Sequence, residues 1–286
     1  MRTYNDVYQA ARKALLAAGI EAAATEARAI LAAAADKSPA DFLRDLRLYP
    51  GGDFEARAET LIRRRLAGEP AAYLAGSWEF YGLELEVNPN VLIPRSDTEA
   101  VTGAAIAFLE NRREARVLDL CTGSGCIGLA IAHEVPDARV VLADIDRRAL
   151  MLAKRNAQRL HLGARVAVLE TDVMLPPARQ LGSFDLIVAN PPYVPSGEME
   201  GLDSSVRDWE PWTALDGGED GLDFFRAILG RWVSILLPGG CLALECGEEQ
   251  AQPLRDLAGK VGLVPGGTFR DTGGTERALT FIKETI

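Results

Sequence analysis

The chain has 286 residues, 48% hydrophobic and 25% charged, with a formal net charge of −10. This is the composition of an ordinary soluble globular protein of one large or two smaller domains, and no apolar run approaches the roughly 20 residues of a membrane span. The acidic balance argues against a protein that wraps nucleic acid, because phosphate neutralisation needs basic surface. The opening Met1-Arg2-Thr3-Tyr4-Asn5-Asp6 carries no apolar signal core, so a cytoplasmic protein is expected.

The first elements are helical. Thr3 can cap a helix through Val7, Tyr8, Ala11, Leu15 and Leu16 that stops near Gly19. Residues 21–35 place Ala23, Ala27, Ile30, Leu31 and Ala34 at helical spacing. Pro39 opens a third helix to about Leu48, Pro50-Gly51-Gly52 breaks it, and a fourth runs from Phe54 to Leu66. Arg63-Arg64-Arg65 reads as a solvated face of that helix, with a docking patch for an acidic partner or ribosomal RNA as the alternative. Residues 78–87 then alternate, Asn88-Pro89-Asn90 reads as a turn, and Val91-Leu92-Ile93 as the returning strand of a hairpin. A helix is expected over 97–109.

Beyond it, strands and helices alternate. Strands are expected at 117–120, 140–143, 166–169, 186–189, 241–245 and 277–282. This pattern predicts an α/β fold with a mostly parallel sheet covered on both faces, whose ligands bind at the carboxyl ends of the strands.

Two motifs fall at such ends. Cys121-Thr122-Gly123-Ser124-Gly125-Cys126 follows the first strand as a glycine turn opening a helix, and Asp144 ends the second strand, where a carboxylate can hold ribose hydroxyls. A plain helix cap is the other reading of Asp144. Gly123, Gly125 and Gly128 also satisfy the dinucleotide pattern G-x-G-x-x-G, which alone is weak. Asn190-Pro191-Pro192-Tyr193 follows the fourth strand. Two prolines stiffen that turn and leave carbonyls free, the asparagine amide offers an acceptor and donors, and the tyrosine offers a flat face. Together the motifs fit a nucleoside-bearing methyl donor facing a planar amide nitrogen. Asp172, beside Val173 after the third strand, is the candidate for the adenine, with a cap as the alternative.

Other chemistries have less support. The four cysteines form two C-x4-C pairs, Cys121/Cys126 and Cys241/Cys246. Structural zinc sites prefer tighter, loop-borne spacings, so buried reduced thiols and no metal are expected. His133 and His161 lie away from the strand tips, which leaves a Ser/His/Asp hydrolase without its base.

Asp119-Leu120-Cys121-Thr122-Gly123-Ser124-Gly125 followed by Asn190-Pro191-Pro192-Tyr193 resembles the class I S-adenosylmethionine-dependent methyltransferases that modify planar nitrogens. The match is closest to the HemK/PrmC release factor glutamine methyltransferases. Residues 68–76 resemble the family's segment before its hairpin. Val91-Leu92-Ile93-Pro94-Arg95-Ser96-Asp97-Thr98-Glu99 resembles its I-P-R-P-x-T-E motif, and Glu210-Pro211 with residues 214–222 its E-P…A-L-D-G-G-x-D-G-L run. Cys121 stands where many members carry glycine, and Ser96 where proline is usual. The cysteine-flanked turn is also similar to sister enzymes that methylate a glutamine of a large-subunit ribosomal protein; an adenine-N6 DNA methyltransferase is a further alternative. Residues 97–99 and 216–218 favour release factor.

The resemblance implies a seven-stranded Rossmann-like methyltransferase domain over 96–286, a helical substrate-recognition domain over 1–76 and a β-hairpin linker over 77–95. It implies transfer of a methyl group from S-adenosylmethionine to the N5 of the glutamine in the Gly-Gly-Gln motif of class I peptide chain release factors, leaving S-adenosylhomocysteine. No direct nucleic-acid contact and a monomer are expected. Asn190 and the Pro191 carbonyl would accept the two amide protons, with Tyr193 over the amide plane and Pro192 completing the substrate turn. Cys121, Thr122, Gly123, Ser124 and Gly125, with Asp144, Asp172, Val173 and Asn190, would hold the donor. Asp119 and Glu99 are candidates for its methionine end, or for caps and ion pairs. Arg95 would meet substrate or pair with Glu99.

Overall fold

The computed structural model describes residues 2–271 and 273–285; the Met1 and Ile286 ends of the expected domain spans lie outside them. Two compact units result. One comprises the chain up to Trp78 with Val87–Pro89 and Asp203–Trp209; the other holds Glu79–Glu86, Asn90–Leu202 and the chain from Glu210 onward.

The first unit is built on helices α1 (Tyr4–Ala17), α2 (Ala23–Ala34), α3 (Pro39–Arg44), α4 (Phe54–Leu66) and α5 (Ala71–Ala75). Thr3 starts α1 through a capping box: Asp6 N donates to Thr3 Oγ1 (3.2 Å) and Thr3 N to Asp6 Oδ2 (2.8 Å). Leu15, Ala27, Leu31 and Phe42 bury the inward faces, and the Tyr4 ring stands edge-on to Phe42 and Phe54 at 5.5 and 4.8 Å. The four arginines of α4 are all paired, Arg57 with Asp36, Arg63 with Glu59, Arg64 with Glu69 and Arg65 with Glu26. The third helix is shorter than its sequence suggests, ending at Arg44.

The hairpin of β1 (Ser77–Phe80) and β2 (Leu83–Glu86) turns at Tyr81-Gly82, not at Asn88-Pro89-Asn90. Both turn residues have positive φ, 51° and 74°. That is the backbone a two-residue hairpin requires and glycine supplies without strain. Residues 91–93 form no strand.

Next come α6 (Glu99–Leu109), β3 (Arg116–Leu120), α7 (Cys126–Glu134), β4 (Arg139–Asp144), α8 (Arg147–Arg159), β5 (Val166–Glu170), β6 (Phe184–Ala189), α9 (Ser204–Arg207), α10 (Asp223–Arg231), β7 (Leu236–Glu245), α11 (Ala251–Lys260), β8 (Leu263–Arg270) and β9 (Glu276–Lys283). The sheet has seven strands in the order β5-β4-β3-β6-β7-β9-β8. The first five are parallel; β9 runs antiparallel to both β7 and β8. Strand β8 escapes the sequence pattern because Pro265-Gly266-Gly267 interrupts it and most of its residues are exposed, as an edge strand allows.

Side chains alternate between the faces. Val117, Leu186, Val188 and Ala243 pack beneath α6, α7 and α8; Leu118, Ile187, Leu242 and Leu244 pack beneath α10 and α11. Each fully buried aliphatic side chain contributes roughly 1.5–3 kcal/mol, so this two-faced core fixes the register of the strands.

That register levels the strand ends. Leu120 of β3 sits opposite Ala143 of β4 and Ala189 of β6, Ala143 opposite Leu169 of β5, and Ala189 opposite Leu244 of β7. One step further along lie Cys121, Asp144, Glu170, Asn190 and Glu245. The order of strands reverses between β3 and β6, where a crevice opens at the carboxyl ends.

Gly128 permits the close seating of α7 on this sheet. A Cβ there would lie 2.3 Å from Leu142 Cδ2, 2.9 Å from Asp119 Oδ2 and 3.1 Å from Val140 Cγ1. Gly128→Ala should therefore destabilise the protein by about 1–3 kcal/mol, read as a lower midpoint in urea unfolding; an unchanged midpoint would contradict this packing.

Candidate active site

A cavity of about 480 Å³ opens over the ends of β3, β4 and β6. Its lining includes Cys121, Thr122, Gly123, Ser124, Asp144, Asp172, Val173, Asn190 and Pro192. It also takes in Asn90–Leu92, Pro94, Arg95, Thr98, Ile127, Ile145, Met174, Pro211–Ala214 and Phe224. Thus both motifs meet at one opening, although Gly125, Pro191 and Tyr193 are not on its wall. The Tyr193 ring packs instead against the core on the α10/α11 face, and its hydroxyl donates to Glu245 Oε1 at 3.5 Å.

The glycine turn is bound tightly to the sheet. Cys121, Gly123 and Gly125 all have positive φ, at 57°, 54° and 86°. Cys121 thus holds a left-handed backbone in which a side chain is strained and glycine is not. Beneath the turn Asp119 is fully buried. Its Oδ2 accepts from Thr122 Oγ1 (2.5 Å) and from the Gly128 backbone N–H (3.0 Å), one of the free donors of the first turn of α7. Asp119 therefore braces the loop and caps the helix; it does not border the cavity.

Asp144 does border it. Its Oδ2 accepts from Gly123 N and its Oδ1 from Asp146 N, both at 2.9 Å. The helix cap of α8 is Asp146, which accepts from Arg148 N at 2.7 Å, so Asp144 is not that cap. Each Asp144 oxygen keeps a lone pair for a further donor. Asp172 closes a local turn by accepting from Met174 N at 2.8 Å, and no helix follows it. Asn190 donates from Nδ2 to Thr98 Oγ1 at 3.3 Å.

Two loops of the lining are tied by one carboxylate. Glu210, 4% exposed, accepts from Ile93 N (3.1 Å) and pairs with the Arg95 guanidinium. The expected Arg95–Glu99 pair is not formed; Glu99 accepts from Tyr81 N at 3.3 Å. Arg95, Thr98 and Glu210 lie in segments whose sequence signal was the family motif, with no spacing to give their contacts. His133 and His161 are away from the cavity. All four cysteines are free, and burial pushes the thiols of Cys126, Cys241 and Cys246 up to about 12. They are therefore poor nucleophiles and metal ligands. No group of three or more potential metal ligands occurs among the described residues.

Burial raises the Asp119 carboxyl to about 7, against its hydrogen bonds from Thr122 and Gly128. It also raises Glu245 to about 7, against hydrogen bonding from Thr98 and Tyr193 and attraction to Arg277. A carboxyl whose folded pKa lies above its unfolded value keeps its proton in the native state over the window between the two. The native state then binds more protons, so stability falls as pH rises from about 4 to about 7 and levels off above. The slope is at most about 1.4 kcal/mol per pH unit for each group. Asp119→Asn should shrink the stability difference between pH 5 and pH 8 in urea titrations; a difference as large as that of wild type would contradict the assignment.

Comparison with known proteins agrees with this geometry. Residues 96–202 match the family model described as methyltransferase small domain, and residues 6–76 match the PrmC N-terminal domain. A release factor glutamine methyltransferase of Moorella thermoacetica is 44% identical over 248 residues, 87% of each chain. One of Caulobacter vibrioides is 34% identical over 281 residues, 98% of this chain and 96% of that protein. A methyltransferase crystal structure from Pyrococcus furiosus superposes with a TM-score of 0.51 at 19% identity, covering 80% of this chain and 100% of that one, a likeness of fold. On this evidence the chain belongs to the release factor glutamine methyltransferase family.

Proposed function

We propose that this protein uses S-adenosylmethionine to methylate the N5 of the glutamine in the Gly-Gly-Gln motif of class I peptide chain release factors. The observation that carries the reading is the single cavity bordered by both Asp144 and Asn190, in a chain of this family. In this reading the enzyme works in the cytoplasm, and the helical N-terminal residues grip the protein substrate.

The cavity suits a nucleoside. Asp144 offers carboxylate lone pairs to ribose hydroxyls, Asp172 can accept from an exocyclic amine, and Val173, Met174 and Ile145 supply apolar wall for an adenine. Thr122, Gly123 and Ser124 bring backbone close to the methionine end. The bound donor supplies a methyl group activated by a sulfonium.

An amide nitrogen is a weak nucleophile because its lone pair is delocalised into the carbonyl. The Asn190 side-chain oxygen, on the cavity wall, accepts one of its protons, draws density onto nitrogen and holds it in line with the methyl group; the Pro191 carbonyl, to which the family resemblance gives the other proton, belongs to the same turn but is not on that wall. Such positioning can lower a barrier by up to about 7–11 kcal/mol. Alkylation makes the remaining proton acidic, so no imidazole is needed. Tyr193 acts from behind the cavity wall, where its ring stiffens the substrate turn; its phenol is raised by burial and stays neutral, a donor to Glu245.

Incubation with labelled donor, release factors and ribosomal proteins, followed by peptide mapping, should place the label on the release-factor glutamine. Label on a ribosomal-protein glutamine or on DNA would overturn the assignment. Asn190→Ala should reduce transfer roughly a hundredfold or more, the scale set by losing one preorganised polar group, while donor Kd changes little. Asp144→Ala should weaken donor binding by about 10–100-fold, as expected for hydrogen bonds to a charged group; calorimetry giving an unchanged Kd would remove Asp144 from the ribose site.

A further inference from the structure

We propose that Gln250 is a positioning residue for methyl transfer: its side-chain amide clamps the chain at Tyr193 and so fixes the proline turn, and Asn190 within it, against the methyl donor. The inference rests on the function proposed above and deepens it.

The turn that begins at Asn190 leaves the sheet at the end of β6, and its two prolines can donate no backbone hydrogen bond. Its anchors must come from elsewhere. Beyond Tyr193 the chain is zipped to residues 215–218: Val194 N donates to Leu215 O (2.9 Å), and Gly217 N to Val194 O and Ser196 N to Gly218 O (both 2.8 Å). The approach is close enough to demand glycine. A Cβ on Gly217 would lie 2.7 Å from Tyr193 Cα, and one on Gly221 2.3 Å from Tyr193 O. The 214–222 run thus forms a seat for the turn.

Gln250 locks the turn into that seat. It stands at the start of α11, and its Nε2 donates to Tyr193 O at 2.8 Å and to Gly221 O at 3.2 Å. Its Oε1 accepts from Gly247 N at 2.9 Å. Backbone groups decide this orientation, because a peptide N–H only donates and a carbonyl only accepts. The flipped amide would set N–H against N–H and oxygen against two carbonyls. One side chain therefore joins the turn after β6, the 214–222 run and the segment after β7.

Neither Gln250 nor Tyr193 borders the cavity, so the clamp acts through the turn and touches neither substrate. Methyl transfer is sensitive to such a clamp, since a misplacement of about 1 Å at the reacting atoms can cost roughly a hundredfold in rate. Donor binding is not, because Asp144 ends β4, which β3 separates from β6 in the sheet.

Gln250→Met keeps the length and removes the three hydrogen bonds. Gln250→Glu keeps the shape and the bond from Gly247 but turns a carboxylate oxygen on two carbonyls. With release factor as substrate, both should lower kcat roughly ten- to a hundredfold, leaving KM and donor Kd within about threefold of wild type. Rates are taken per folded enzyme, counted by donor-binding stoichiometry below the melting temperature, so that lost stability alone would leave kcat unchanged. Hydrogen exchange should quicken at the Val194 and Gly217 amides and stay as in wild type at the Gly123 and Gly125 amides of the donor loop. Wild-type kcat in either variant would overturn the proposal. So would a slow variant whose Val194 and Gly217 amides exchange as in wild type, or one whose donor Kd rises in proportion to its loss of kcat. Each of these results leaves wild-type glutamine methylation intact and so leaves the function standing. A wild-type enzyme that labels no release-factor glutamine would instead remove the function, and this inference with it.

Discussion

The structure depends on one row of strand register. Apolar side chains on both faces of the parallel strands fix Leu120, Ala143, Ala189 and Leu244 level with one another. A slip of one residue in any strand would turn its buried side chains to the wrong face, so the row is held by the whole core. Everything chemical follows at the next position, at the carboxyl edge of the strands: Cys121 begins the glycine turn, Asp144 reaches the cavity, Asn190 begins the proline turn and Glu245 stands behind it. Precision at the site is therefore inherited from the hydrophobic effect acting some distance below it.

Buried carboxylates then convert that level edge into shaped loops. Asp119 joins the glycine turn to the start of α7, Glu210 joins the loops at Ile93 and Arg95, and Glu245 serves the turn after β6. Each accepts at least one donor from a segment that has no regular structure of its own. The cost appears in the protonation behaviour of Asp119 and Glu245, both driven up by burial to about 7. Replacing such groups with apolar ones of similar shape is often neutral or stabilising; their presence behind the loops that line the cavity points to orientation as their use.

How much of this can be read from sequence divides along the same line. The fold class and the strands that carry the site are legible because short Val-, Leu- and Ile-rich runs alternate with helical segments, as at 117–120 and 186–189. Asp144 and Asn190 are legible as candidates because they end such runs. Family membership is legible from ordered motifs. The hairpin turn is not, since Asn88-Pro89-Asn90 has stronger turn chemistry than Tyr81-Gly82, and only the pairing of β1 with β2 decides between them. Strand β8 is hidden by Pro265 and two glycines. The contacts that shape the cavity are illegible for a different reason: Arg95 meets Glu210 and Thr98 meets Asn190 across 115 and 92 residues. No local period encodes such pairs. Tyr193 shows the same limit, since an aromatic after two prolines reads equally as a lid on substrate or as a brace behind the wall.

The central claim is that the edge row presents a methyl donor and a glutamine amide to each other across one cavity. The most direct measurement is a crystal structure of the protein with S-adenosylhomocysteine and a Gly-Gly-Gln peptide. The account predicts ribose hydroxyls on Asp144, the sulfur directed at the turn after β6, and the glutamine amide nitrogen within hydrogen-bond distance of Asn190 Oδ1. A product bound with its sulfur facing away from Asn190, or an amide held by other residues, would contradict it.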